Sequence, residues 1–200
     1  MIRPLSHPWL FNWKSGLVIG GLVTAVLFTF GMIDSSQQPE GRYVPEARDA
    51  SGTEIVLLLI GAKFCMAHLQ PGFPEAVEQA KLYVSGYARS RGFRFRAVGV
   101  ALDPSVADGL EFLARFGEFD EISSGGHWLA DPAIKYLWRD YPGRPAIPQI
   151  VVLERKADTE QRNILIQDES LRLRVLGTEE IEEWVAVGAP LDPRIPVGSL

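Results

Sequence analysis

The clearest hydrophobic pattern lies between Glu54 and Gly92, where a strand-like run is followed by a helical one. Residues 54–60 (EIVLLLI) are a continuous, branched apolar stretch of strand length, typical of a buried strand. After Pro74, apolar residues recur at helical spacing up to the stop at Gly92. The residues on this expected buried face are Val77, Ala80, Val84, Tyr87 and Ala88.

The rest of the chain alternates apolar runs with amphipathic ones. The pattern predicts a strand over 93–102, a helix from Asp103 to about Phe116, an edge strand over 119–122 and a helix from Asp131. Asp103 and Asp131, each followed by proline, are the expected caps of these two helices. A strand over 149–153, a polar loop over 154–162, a hairpin of 163–167 with 171–176 and a last helix capped by Thr178 follow. The expected inward residues of the two middle helices are Val106, Leu110, Leu113 and Ala114, then Ile134, Leu137, Trp138 and Tyr141. Strands separated by helices in this way predict an α/β fold with parallel strands.

Residues 16–33 form an uncharged apolar stretch of 18 residues, close to the ~20 that cross a bilayer. Residues 1–15 carry positive charge only, and Asp34 follows the stretch, so we expect a cytoplasmic head and a domain outside. Trp9 and Trp13 would lie in the headgroup layer. A cleaved signal peptide is the alternative, but no A-x-A-like site follows the stretch.

Small residues recur along the predicted membrane helix, a pattern that can seat a partner helix. They are Gly16, Gly20, Gly21 and Ala25. The polar stretch 34–53 reads as a linker, residues 54–188 as the folded domain, and 189–200 as an extended tail with prolines. The sequence thus predicts a single-pass protein of a bacterial inner membrane with a periplasmic domain, which contacts the lipid bilayer and possesses a face for an integral-membrane partner.

The formal net charge is −5. Because the first 33 residues carry a charge of +2, the remainder of the chain is acidic. An acidic domain argues against nucleic acid as a partner, because phosphate binding needs a basic surface. The chain contains one cysteine, which excludes an internal disulfide. No Walker loop, dinucleotide fingerprint or zinc motif is present, and no cofactor is expected.

The segment 64–68 (FCMAH) follows the first long strand and holds an aromatic residue directly before the cysteine. The segment 146–149 (AIPQ) holds a proline directly before a buried strand. With these segments, about residues 50–187 of the chain resemble the thioredoxin-like superfamily, nearest to its membrane-anchored periplasmic members, which have an aromatic residue and a C-x-x-C motif at the first place and a cis proline at the second. The terminal hairpin and helix also match. The resemblance implies a thioredoxin-like central sheet and a cis Pro148 that faces Cys65.

His68 stands where the family has its second cysteine. Dithiol chemistry needs an attacking thiolate and a second thiol that resolves the mixed disulfide, and this chain has no second thiol. We therefore do not expect a dithiol oxidoreductase that cycles alone, and the sequence leans against an enzyme. The stretch between Cys65 and Pro74 is also longer than the family's turn into its helix, which weakens a helix-dipole effect on the thiol.

Three interpretations of Cys65 remain open at this point. Cys65 could be a monothiol activated by His68, or a relic that packs as a small apolar side chain. Cys65, His68 and His127 could also form a weak metal site, as copper-delivery members of the superfamily use cysteines and a distant histidine. Nothing in the sequence places His127 near the thiol.

The segment 128–141 (WLADPAIKYLWRDY) is rich in aromatic residues. Core packing is the usual reason for such a segment. A protein-docking surface that includes Trp128, Trp138 and Tyr141 is the alternative, because tryptophan, tyrosine and arginine concentrate at interface hot spots.

Two functions follow from these observations. One is a non-catalytic accessory subunit that stabilises a larger membrane complex, respiratory or photosynthetic, in which Cys65→Ser would leave the cellular role intact. The other is a membrane-tethered monothiol redox protein in envelope or cytochrome maturation, whose Cys65 would react with alkylating agents well below pH ~8.5, the ordinary thiol pKa.

Overall fold

The computed structural model describes residues 41–45, 52–141, 144–160 and 163–191, and for 157–160 and 163–167 it describes the backbone only. The chain divides into two units, 1–37 and 38–200, and the described residues all belong to the second. Within the described ranges no helix is both long and apolar enough to cross a membrane. The predicted head and membrane helix, and most of the linker and tail, lie outside these ranges.

The second unit contains five strands and four α-helices within the described residues. The elements are β1 (Gly52–Gly61), α1 (Phe73–Ser90), β2 (Arg94–Ala101), α2 (Val106–Ala114), β3 (Glu121–Ser123), α3 (Asp131–Ala133), β4 (Gln149–Glu160), β5 (Asn163–Leu176) and α4 (Gly177–Ala186). Short 3-10 turns cover Met66–Leu69 and His127–Leu129, and a π-helix over Ile134–Arg139 continues α3.

The strands form one mixed sheet in the order β3-β2-β1-β4-β5. β1, β2 and β3 are parallel, whereas β4 is antiparallel to β1 and β5 is antiparallel to β4. With helices flanking the sheet and a terminal β4–β5 hairpin followed by α4, this arrangement is consistent with a thioredoxin-like fold. The predicted α/β class is confirmed.

The central strand β1 is apolar on both faces because each face contributes to a separate core. One core joins Ile55, Leu57 and Leu59 to the helices α1, α2 and α4. The other joins Val56, Leu58 and Ile60 to Tyr136 and Leu137 of the π-helix. The carboxyl end of β1 therefore leaves the sheet at its middle, where the chain after Gly61 can be reached by loops from neighbouring strands.

The prediction that Asp103 caps the helix after β2 is wrong. The helix begins at Val106, and the cap is Ser105, whose hydroxyl accepts a hydrogen bond from the backbone N–H of Asp108 at 3.4 Å. The predicted inward face is also partly wrong, because Val106 and Leu110 are about half exposed and Ala114 is exposed. The buried residues of α2 are Gly109, Phe112 and Leu113.

The stripe predicted over 134–141 assumed α-helical periodicity. The segment is a π-helix, whose extra residue per turn rotates the later side chains. As a result Tyr136 and Leu137 are buried, and Trp138 is 51% exposed. Asp131 is the first helical residue, and Ala130 is its cap.

The polar loop predicted over 154–162 is wrong, because β4 continues to Glu160. The hairpin predicted within 163–176 is wrong too: β5 is one strand that pairs with β4 from Asn163 to Leu176. Thr178 does not cap the last helix. Leu176 is the cap residue, and the Thr178 hydroxyl donates to the side chain of Gln70.

Both ends of the domain are held by packed side chains. Tyr43, within the predicted linker, is buried, and its hydroxyl donates to Asp120 Oδ2 at 2.6 Å. At the start of the predicted tail, Ala189 and Leu191 are buried, and Trp184 Nε1–H donates to the carbonyl of Pro190 at 3.1 Å.

Candidate functional site

Cys65 lies in the loop between β1 and α1, which we call the cysteine loop (residues 62–72). Its backbone N–H donates to the carbonyl of Ala62 at 3.1 Å, which closes a turn directly after the strand. The side chain is partly exposed. The four-residue 3-10 turn follows at once, but α1 begins only at Phe73. Cys65 is therefore not at the start of a long helix, as the spacing to Pro74 predicted.

The Cys65 thiol faces the loop that precedes β4. Its Sγ lies 3.5 Å from the carbonyl oxygen of Ile147, and the peptide bond between Ile147 and Pro148 is cis. The structure thus brings together the two segments that carry the resemblance, in the relation that the resemblance implied. The thiol stands beside an ordered backbone turn rather than in open solvent.

His68 is placed differently from the activated-thiol hypothesis. The ring is 5% exposed and packs edge-to-face on Phe112, with ring centroids 5.6 Å apart. Its Nδ1 lies 2.6 Å from the carbonyl oxygen of Cys65, which can only accept, so Nδ1 carries the proton. The hydrogen bond of the imidazole therefore fixes the loop backbone, while the Cys65 thiol donates to Ile147.

Asp103 supports the cysteine loop, a role that the sequence reasoning missed. Asp103 is 3% exposed, and both of its carboxylate oxygens accept the backbone N–H of Lys63, at 3.1 and 3.0 Å. The signal that could have found it is topological: β1 and β2 are parallel neighbours, so Asp103 and Lys63 follow their carboxyl ends at one edge of the sheet. Asp103 thus holds the loop two residues before the thiol.

The Lys63 side chain points away along α2. Its ammonium donates to Asp108 at 2.8 Å and to Glu111 at 2.7 Å. These hydrogen bonds, first from Asp108 and then from Glu111, raise the pKa of Lys63 above its ordinary value. Its charge is therefore satisfied within the domain.

A row of rings, which we call the aromatic row, begins beside the thiol. Phe64 stacks on His127 at a centroid distance of 6.2 Å, His127 meets Trp128 at 6.5 Å, and Trp128 meets Trp138 at 6.4 Å. Other apolar side chains of the same segments are also exposed: Met66 and Leu69 in the cysteine loop, and Leu129 directly after Trp128. Of the predicted contact residues in this row, Trp138 is half exposed, whereas Trp128 is partly buried and packs against the second core.

Tyr141, the third predicted contact residue of this segment, has an internal role. Its hydroxyl donates to the backbone carbonyl of Glu169 at 3.0 Å, and its ring stacks on Tyr136 at 6.1 Å. Burial, followed by the Glu169 carboxylate, raises the pKa of Tyr141. Tyr141 therefore ties the segment before β4 to β5.

In the part of the chain that the structure describes, no group of three or more His, Cys, Asp and Glu side chains is placed to hold a metal ion. His68 is buried against Phe112, whereas His127 stacks on Phe64 at the surface. The contact residues predicted for the membrane helix and its flank lie outside the described residues: Trp9, Trp13, Gly16, Gly20, Gly21 and Ala25.

No protein-family model and no curated protein matches the chain. Among solved structures, a Chlorobium tepidum protein provisionally assigned as thiol:disulfide interchange protein DsbE aligns with 68% of this chain and 81% of its own length. The identity is 17% and the TM-score is 0.33, and a similarity this low carries no argument. The agreement with a thioredoxin-like arrangement stands on the strand order and on the position of Cys65 beside Pro148.

Proposed function

We propose that the domain acts as a monothiol that binds a partner polypeptide at Cys65. The observation that carries this proposal is the partly exposed Cys65, whose Sγ lies 3.5 Å from the Ile147 carbonyl oxygen and whose chain neighbours Phe64 and Met66 are exposed apolar side chains. A thiol kept only for packing would be covered, and apolar side chains around it would face the core. Exposed apolar surface next to a potential nucleophile is what a docking site for a protein disulfide requires.

The chemistry is thiol–disulfide exchange. The Cys65 thiolate attacks one sulfur of a partner disulfide, a bond forms between Sγ and that sulfur, and the other sulfur leaves as a thiolate. The mixed disulfide is then broken by a second thiol, supplied by the partner's own cysteine or by a small-molecule thiol. That thiol attacks the partner's sulfur and returns Cys65 as a thiolate. The sequence itself contains no resolving cysteine.

The proposal includes the tether expected from the sequence. With residues 16–33 in the inner membrane and the head in the cytoplasm, the domain works in the periplasm, in the maturation of envelope proteins or of cytochromes. Such substrates carry cysteines that must be held reduced or joined correctly, and disulfides persist in that compartment.

The direct test is to trap the mixed disulfide. Full-length protein is isolated from native membranes after rapid acid quenching and without reductant, and intact-mass spectrometry is used to find covalent adducts. We expect an adduct that reductant releases and that Cys65→Ser removes, with Val44→Ser, at an exposed position outside the cysteine loop, as the matched handling control. A Cys65 that carries no adduct and alkylates only in denaturant would contradict the proposal.

A second candidate is the accessory subunit of a larger membrane complex, respiratory or photosynthetic. It is favoured by the exposed apolar side chains Met66, Leu129 and Trp138, at 70%, 80% and 51% exposure, which suit a permanent interface. Its test is purification in mild detergent. A stoichiometric high-mass complex that survives Cys65→Ser would support it, and migration as a monomer would remove it.

A further inference from the structure

We propose that the aromatic row makes Cys65 selective for disulfides flanked by apolar polypeptide, and that it disfavours glutathione disulfide. This inference rests on the proposed monothiol function and names its substrate class. The specificity residues are Phe64, His127, Trp128 and Trp138, which connect the residue before Cys65 to the π-helix.

The aromatic row is continuous in sequence with the residue that carries the thiol. The row starts at Phe64, which precedes Cys65 in the chain, and each ring contacts the next, with centroid distances of 6.2, 6.5 and 6.4 Å. At roughly 3.3 Å per residue, an extended segment of several residues fits along it. A partner held by its cysteine at Sγ would therefore place its neighbouring side chains on these rings.

The basic side chains near this site are few, and most of them are paired with carboxylates. The segments that meet at this site, residues 62–70, 125–138 and 144–148, carry three lysine and arginine side chains. The ammonium of Lys63 is held by Asp108 and Glu111, and that of Lys135 lies 2.6 Å from Glu169. Arg144 is exposed. Glutathione disulfide carries four carboxylates, and a surface with two of its three cations already paired offers them little.

The backbone conformation at His127 and in the π-helix also favours a role for the exposed rings. His127 has a φ of 53°, in the left-handed region that non-glycine residues rarely adopt, and this geometry turns its ring onto Phe64. The π-helix exposes Trp138, which α-helical periodicity would have buried. Two separate departures from favoured backbone geometry thus present aromatic rings to one surface.

The test compares three probes on the full-length protein in detergent: glutathione disulfide, and the symmetric disulfides of two capped pentapeptides whose cysteine is flanked by leucine or by serine. Burial of one leucine side chain corresponds to about a tenfold difference in rate, so we expect the leucine peptide to form the mixed disulfide about tenfold faster than the serine peptide. Each rate of mixed-disulfide formation is measured by quenched-flow mixing with intact-mass detection.

Trp138→Ala should reduce the ratio of leucine-peptide to serine-peptide rates toward one, and Met66→Ser is a second variant at an exposed position. Val44→Ala is the matched control, because Val44 is apolar and 67% exposed but lies outside these segments. Circular dichroism checks that each variant is folded. Equal rates for all probes, unchanged by Trp138→Ala, would overturn this inference and leave the proposed function standing. No reaction with any probe would overturn the proposed function itself.

Discussion

The two ends of β1 depart in opposite directions from the rule that charged side chains are exposed and apolar side chains are buried. At its beginning, Glu54 is a fully buried carboxylate, and beyond its end, Phe64 and Met66 are apolar and exposed. One end places charge inside the domain, and the other places apolar surface outside it. A side chain whose partners all lie within the chain has a structural role. A side chain that lacks such partners is available to bind another molecule.

Glu54 finds all its partners inside. Its Oε1 accepts from Arg96 Nε at 3.0 Å, and its Oε2 accepts from Arg155 Nε at 2.8 Å, across the two strands that flank β1. Burial alone would raise the pKa of Glu54, but Arg155 and Arg96 together outweigh it and hold the pKa below its ordinary value. We call Glu54, Arg96 and Arg155 the charge cluster, and its role is structural.

The apolar side chains beyond the other end of β1 do not find all their partners within the chain. The rings of the aromatic row contact one another, yet Trp138 and Phe64 each keep about half of their surface exposed. When a partner covers a large apolar side chain that has half its surface in water, the free energy of the complex falls. Buried charge whose partners all lie inside the domain therefore has a structural role, whereas uncovered apolar surface points to binding.

The largest effect is expected from Glu54→Gln. Removal of the carboxylate leaves the buried Arg155 without the counter-charge of Glu54 and leaves Arg96 with Glu121 as its carboxylate partner, a change that costs about 3–5 kcal/mol in the free energy of unfolding. Chemical denaturation measures it. Glu121→Gln is the control, because Glu121 also pairs with Arg96 but is half exposed, and its loss should cost less than about 1 kcal/mol. Similar effects for the two variants would contradict a structural charge cluster.

The same carboxylate predicts the acid response of the domain. Because the pKa of Glu54 is lower in the folded state, its contribution is complete above the unfolded value of about 4.3 and is lost as the pH falls through the folded value. The free energy of unfolding, measured by denaturant titration from neutral pH downward, should fall more steeply in the wild type than in Glu54→Gln below about pH 4. Parallel pH profiles would assign the acid response to other groups.

An intermediate effect is expected from Asp103→Ala at the exposed end. The variant leaves the Lys63 N–H without its carboxylate, at a cost of about 1–3 kcal/mol. Because that bond holds the cysteine loop, the alkylation rate of Cys65 should change as well. Asp108→Asn removes a partner of the Lys63 side chain but not of its backbone, and it should leave the alkylation rate unaltered. A rate that is unaltered in Asp103→Ala would restrict Asp103 to stability.

The smallest effect on stability is expected from Met66→Ser. Met66 is 70% exposed, and substitutions at such positions stay within about 0.5 kcal/mol. Thermal unfolding measures that, while yield of the mixed disulfide should fall in the trapping experiment. A clear loss of stability would mean that Met66 belongs to the core and would weaken the contrast between the two ends.

Much of the fold could be predicted because its central elements repeat a simple signal. β1, β2 and α1 carry long apolar runs or regular helical spacing, which placed Cys65 at the end of a buried strand. The cis Pro148 facing Cys65 was implied only by the resemblance to the thioredoxin-like superfamily. The α2 face could not be found in this way, since the helix approaches β2 closely at a glycine. A Cβ on Gly109 would lie 2.8 Å from the Cβ of Ala101, so the helix packs through a residue that hydrophobicity does not mark.

The site was only partly predictable for related reasons. The Asp103-Pro104 pair is a good cap signal, but the loop N–H of Lys63 competes for the same carboxylate, and that competition depends on a strand neighbour about 40 residues away in sequence. The exposure of Trp138 depends on one extra residue in a π-turn, which no apolar spacing encodes. Local signals gave the elements, whereas the contacts between loops decided the site.

The two edges of the sheet have a consequence for how copies of the domain meet. β3, at one edge, is three residues long, and β5, at the other, carries Asp168, Glu169, Arg172 and Arg174 along its described side chains. Short edge strands and charged edge strands both oppose the addition of a further strand. The domain should therefore stay free of sheet-extending aggregation even when crowded, and recognition by this protein has to proceed through side chains rather than by shared backbone ladders.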